Sequence, residues 1–179
     1  MKLFGPTVAI VLVSLSFLGC SNKKNPNKDS QIASKRRNSP PQNNDQRDNA
    51  PQEIAFRPDG TLSIVSIDGT KLVSIEYERA ETPETRSKGL MYRNSMGELQ
   101  GMLFIHKDAA PRYMYMKNTY ISLDILFLDN EKRIIKIYHN TQTRSEELLP
   151  SVDNARYALE VNAGFCERHG VHEGDLLEF

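Results

Sequence analysis

The chain has 179 residues, with 23 Lys and Arg against 23 Asp and Glu, so its formal net charge is zero at neutral pH. That length suits one principal domain, and the missing basic excess argues against nucleic acid as a partner. Two cysteines are too few for a disulfide framework.

The N-terminus reads as an export signal. Lys2 precedes an apolar run over residues 8–18 that ends in Gly19-Cys20. The run falls short of the roughly 20 residues of an ordinary membrane-spanning helix and fits the apolar region of a signal peptide. A small residue before a cysteine resembles the site where bacterial lipoprotein signals are cut and the cysteine acylated. Phe17 and Leu18 depart from that pattern, standing where leucine and a small residue are more usual. Residues 1–20 are expected to be a lipoprotein signal peptide, with Cys20 the lipidated residue and the membrane the partner it reaches. Ser21 is not an inner-membrane retention aspartate, so by resemblance to enterobacterial sorting the expected location is the cell envelope, at the outer membrane facing the periplasm.

Residues 21–55 hold few apolar side chains beyond Ile32 and Ile54 and are rich in Asn, Gln, Ser, Lys, Arg and Pro. Such a segment cannot bury enough surface to offset its chain entropy. It reads as a disordered, net basic tether with a root-mean-square span on the order of 30–35 Å.

Residues 56–179 have the composition of a folded domain. Residues 62–67 are apolar and β-branched, and Asp68-Gly69 follows as a hairpin signal. Val73, Ile75 and Tyr77 then alternate with polar residues, the period of a strand with one wet face. Thr82 before Pro83 predicts the start of a short helix running to Leu90 or Met91. Residues 102–106 and 113–117 form two separate apolar runs. Residues 124–129 read as a central strand, which a turn joins to a strand over residues 133–139. The polar stretch over residues 141–154 is expected to be a surface loop. A strand over residues 157–162, one or two helical turns over residues 163–169 and a last strand over residues 176–179 complete the chain. The expected class is all-β with two short helices, an antiparallel sandwich or barrel of jelly-roll-like architecture.

Five motifs occur in order: Gly89-Leu90-Met91-Tyr92-Arg93; Gly101-Met102-Leu103-Phe104; Met116-Lys117-Asn118-Thr119; Leu123-Asp124-Ile125 with Phe127 and Asp129; and Glu160-Val161-Asn162-Ala163-Gly164. Together they resemble the bacterial and archaeal family called domain of unknown function 192. Tyr115 stands where that family usually has tryptophan, and Ser122 where it usually has proline. The resemblance implies a compact β-rich fold, frequent export and no established activity.

Candidate site residues are polar groups that interrupt apolar strands, since burying them costs free energy unless something compensates. Glu160 and Asn162 share one strand face, while Lys117, Asn118 and Asp124 flank one turn. Should those strands be neighbours, the five converge beside Tyr113, Tyr115 and Phe127 as a small-ligand pocket. The plainer alternative is that Asp124 and Asn118 cap a turn and Lys117 pairs with Glu160.

Two functional readings stay open. One is a lipid-anchored binding or accessory module for a small molecule or an envelope polymer. The other is a hydrolase-like enzyme with Asp124 and Glu160 as acid and base. Nothing in the spacing points to a cofactor or metal. Cys166 reads as a packing residue, His169 and His172 lack a third ligand, and the methionines suit core filling better than copper.

Overall fold

The computed structural model describes residues 54–179, all within one unit, Arg47–Phe179. The expected signal peptide, Cys20 and nearly all of the expected tether lie outside the described residues. Seven strands form one sheet: β1 (Gly60–Val65), β2 (Lys71–Ala80), β3 (Gln100–Met114), β4 (Leu123–Leu128), β5 (Ile134–Tyr138), β6 (Leu149–Asn162) and β7 (Leu176–Glu178). Two short helices, α1 (Pro83–Lys88) and α2 (Phe165–His169), complete the secondary structure. Among the described residues no helix is long and apolar enough to cross a membrane.

The strand order is β5-β4-β6-β3-β2-β1-β7. All neighbours are antiparallel except β2 and β3, which run parallel and are joined through α1; parallel neighbours need such a crossover. The sheet curls into a half-barrel whose outer strands touch at one bridge, Arg133 with Leu176. Ile134 N–H donates to the Asp175 carbonyl at 2.8 Å, and Leu177 N–H to that of Lys132 at 3.0 Å. The all-β, barrel-like expectation holds, as one curled mixed sheet.

Both faces of the sheet are covered. Leu62, Ile64, Ile75, Leu103, Leu126, Leu159 and Phe165 pack on the inside of the curl. Leu90, Met102, Phe104, Ile125, Phe127 and Ala158 pack on the other face. All six residues of β4 are therefore buried, which explains a continuous apolar run in place of alternation.

Three boundaries differ from the sequence reading. Helix α1 begins as expected, with Thr82 accepting from Thr85 N–H at 3.2 Å, but stops at Lys88. Gly89 takes a positive φ of 47° there, which ends the helix. The apolar runs at residues 102–106 and 113–117 belong largely to one strand, β3. Its register against β6 shifts between Ile105 and Ala110 and bulges the polar residues between them outward. Lastly, β6 begins at Leu149, inside the stretch expected to be loop, because Tyr113 and Met114 pair with Pro150 and Leu149. Long-range pairing overrides the local polar pattern at that point.

Candidate functional site

Strand register decides which polar residues can meet. Cross-strand partners point to the same face of a sheet. Glu160 is partnered by Met102 on β3 and by Ile125 on β4, both in the outer cluster. Asp124 is partnered by Val161, which belongs to the inner cluster. The two carboxyls thus lie on opposite faces of the sheet.

Asp124 is fully buried and well satisfied. Its Oδ1 accepts from Asn140 N–H at 2.9 Å and Gly164 N–H at 3.1 Å, and its Oδ2 accepts from Cys166 N–H at 3.0 Å. One side chain on β4 thereby pins the end of β5 and the start of α2. The turn-capping alternative describes Asp124 better than the pocket does.

The other candidates also separate. Lys117 is half-exposed and pairs with Glu146 at 3.3 Å, not with Glu160. Asn118 has a positive φ of 55° and donates from Nδ2 to the Tyr92 hydroxyl at 2.9 Å, while its carbonyl accepts from Tyr92 N–H. Asn162 does share the Glu160 face, but its Nδ2 donates to the carbonyls of Met96 and Gly97 and holds that loop. The five residues do not form one cluster, because Asp124 points the other way and three of the rest serve local loops.

Glu160 stands apart. It is buried, and its Oε2 is the only carboxylate oxygen among the described residues that is buried with no hydrogen-bond partner. Loss of hydration raises its pKa to about 8, so the group is a neutral acid at physiological pH. It borders a cavity of about 340 Å³. The walls include Leu90, Met91, Phe104, Met114 and Tyr115, with Thr119 adding a hydroxyl. Arg86, Lys88, His106 and Arg112 supply basic groups to the same space.

These basic residues are placed by the elements already described. Arg86 lies on α1 and donates from Nη1 to the carbonyls of Glu81 and Ile105. Arg112 follows the β3 bulge, where its Nη2 bonds both the carbonyl and the carboxylate of Asp108. His106 sits within that bulge, and its pKa is lowered to about 4 by burial and by the nearby Arg112 and Arg86 charges. At neutral pH the cavity therefore presents guanidinium and ammonium charge, a neutral imidazole, a neutral carboxyl and an apolar wall.

Sequence reasoning missed the basic half of this site, since Arg86, Lys88 and Arg112 look like ordinary surface charges until α1 and the bulge bring them together. It also missed Arg93, whose Nη2 bonds the Glu78 carboxylate in a buried ion pair. Glu78 also accepts from Arg57 N–H at 2.7 Å, so the pair clips residues before β1 to the loop after α1. Its position in the Gly89 to Arg93 motif was the available signal.

A second cavity, of about 490 Å³, includes His139, Cys166, His172 and Glu173 in its lining. Beside it the ligand atoms of Asp124, His139 and Cys166 all lie within 4.8 Å of one another. Burial and the Asp124 carboxylate push the Cys166 thiol well above its usual range, so at neutral pH it is not a free nucleophile.

The fold and the outer cavity define a half-barrel β-protein with a cavity of about 340 Å³ on one face. Residues 63–179 match the family described as Uncharacterized ACR, domain of unknown function 192 (DUF192), and the chain belongs to it. Two solved structures are similar. A Sinorhizobium meliloti 1021 protein described as a "putative transcription regulator" is 36% identical with a TM-score of 0.66, the match covering 70% of this chain and 96% of that one. A Novosphingobium aromaticivorans DSM 12444 protein of unknown function is 29% identical with a TM-score of 0.64, covering 70% and 91%. No curated protein matches the sequence.

Proposed function

We propose that the chain is a lipid-anchored protein of the cell envelope that binds a small anionic molecule in the cavity bordered by Glu160. The observation that carries this reading is the unpartnered Glu160 Oε2, buried against that cavity. An orphaned buried polar atom costs free energy, and such costs concentrate where a ligand completes the hydrogen bonding. A protonated carboxyl donates to an uncharged acceptor such as a carbonyl or hydroxyl. Arg86, Lys88 and Arg112 favour a carboxylate, sulfonate or phosphate at the other end of the ligand, and Phe104, Leu90 and Met114 suit an apolar body between them.

The anchor rests on the N-terminal sequence. The apolar run ending at Cys20 supports lipidation there, the outer membrane facing the periplasm as destination, and the membrane as one partner, with no role for nucleic acid. Pairing Asp124 with Glu160 as acid and base has no support in this geometry. Glycoside hydrolysis needs both carboxyls across one open cleft, and the sheet stands between them.

The test uses the full chain in detergent and the fluorescent probe 8-anilinonaphthalene-1-sulfonate, an anion with an apolar ring system. Saturable binding is expected, weakened at least tenfold by the double change Arg86→Ala and Lys88→Ala and again by Glu160→Leu. Unchanged affinity in both variants would refute the site. Cys20→Ala should release the protein from membranes; a variant still in the membrane fraction after a carbonate wash would refute the anchor.

A further inference from the structure

The second cavity lies on the other side of the sheet from Glu160 and is independent of the binding proposal. Three side chains from three elements meet at its edge: Asp124 from β4, His139 just after β5, and Cys166 in α2. Nothing in chain spacing unites them, since the curl of the sheet and the Asp124 hydrogen bonds create the cluster. We propose that Asp124, His139 and Cys166 form a three-ligand site for zinc or a similar borderline divalent ion, with its open coordination position facing the cavity.

Geometry is the first support. His139 Nδ1 lies 3.9 Å from Asp124 Oδ2, too far for a hydrogen bond. It is close to the separation of two ligands on one ion. Bonds of about 2.0–2.3 Å in a tetrahedral arrangement put ligand atoms about 3.3–3.8 Å apart. A modest rotation of His139 closes the remainder, and that side chain is half-exposed and free to turn.

The hydrogen-bond inventory of Asp124 is the second. An ionised carboxylate offers about four acceptor positions. Backbone N–H groups fill two on Oδ1 and one on Oδ2. The position left is on Oδ2, the oxygen nearest His139, and the Cys166 thiol interacts with the same carboxylate. A bound ion takes the place of that thiol proton, which leaves to solvent, and the three backbone donors hold the carboxylate as outer-shell groups do in metal sites.

The ligand set identifies the class of ion. Thiolate with imidazole and carboxylate suits zinc or cobalt, whereas magnesium and calcium prefer oxygen alone. Three protein ligands beside an open space is the arrangement in which zinc keeps a position for water or a small molecule. The cavity, lined further by His172 and Glu173, supplies that space.

Cobalt(II) provides a direct readout. The full chain, stripped with chelator and titrated with Co²⁺, should show one equivalent of a thiolate-to-cobalt charge-transfer band with the intense visible bands of low coordination number, all erased by added Zn²⁺. Cys166→Ser should remove the charge-transfer band, and Cys20→Ser should leave it intact. His139→Ala, at a half-exposed position that costs the fold little, should weaken Co²⁺ binding at least tenfold. Absence of the band, its survival in Cys166→Ser, or unaltered affinity in His139→Ala would each overturn the site. Probe binding in the Glu160 cavity is unaffected by any of these results, so the two proposals fail separately.

Discussion

Asp124 and Glu160 are equally removed from water yet treated in opposite ways, although they sit on adjoining strands one residue out of step. Asp124 accepts three backbone N–H groups and ties three segments together. Glu160 is left with an unpaired oxygen and a raised pKa. The contrast shows that burial alone does not mark function. What separates a carboxylate that ties the chain together from one left for a bound molecule to satisfy is how many of its acceptor positions the chain itself fills.

The largest expected effect breaks the structural side of this comparison. Asp124→Ala removes a charged acceptor and strands three buried donors, so it should cost about 3–5 kcal/mol. Urea unfolding monitored by circular dichroism measures it, and a loss below about 1 kcal/mol, an ordinary surface value, would show that the three N–H groups have other partners.

Glu160 should behave in the opposite sense. Its folded pKa of about 8 lies above the ordinary 4.5, so between those values the unfolded chain binds fewer protons than the native one. The Glu160 contribution to stability is therefore fully present at acidic pH and is lost as pH rises from about 4.5 to about 8, while His106, with its folded pKa of about 4, contributes the opposite slope between about 4 and 6.5. Glu160→Gln should remove the first of these slopes and raise stability at neutral pH by about 2 kcal/mol, less than the full linkage value because the amide is itself unpaired. Urea midpoints of both proteins across that range provide the check; parallel curves would mean that Glu160 is ionised in the native state.

The smallest effect sharpens the comparison by giving it a baseline. Lys117 pairs with Glu146 at a half-exposed position, and such pairs contribute little. Lys117→Ala should change stability by less than about 0.5 kcal/mol and leave probe binding as it was. A larger change in either would return Lys117 to the site.

Much of this fold was legible in the residues. Alternation marked β2 and the end of β6, the apolar run marked β4, and Thr82-Pro83 marked α1. The shared face of Glu160 and Asn162 followed from the two-residue period of a strand. What could not be read was register. Asp124 pairs with Val161, and a slip of one residue would set it beside Glu160 on the same face. No local pattern on β4, apolar at every other position, distinguishes those outcomes. The basic half of the cavity was hidden for a related reason, because Arg86 and Arg112 meet through a crossover and a bulge. His139 and Cys166 likewise become neighbours only through tertiary closure.

The seam between β5 and β7 has a dynamic consequence. One bridge and a few flanking hydrogen bonds join the ends of the sheet, whereas β4 is held along its whole length by β6. Opening there uncovers Ile134 and Leu177 but leaves the β4–β6 ladder intact, so the amide protons of Ile134 and Leu177 should exchange with solvent sooner than those of β4, which wait for global unfolding. The molecule then works as a clasp: a rigid centre carries both buried carboxylates, and the rim can part without disturbing either.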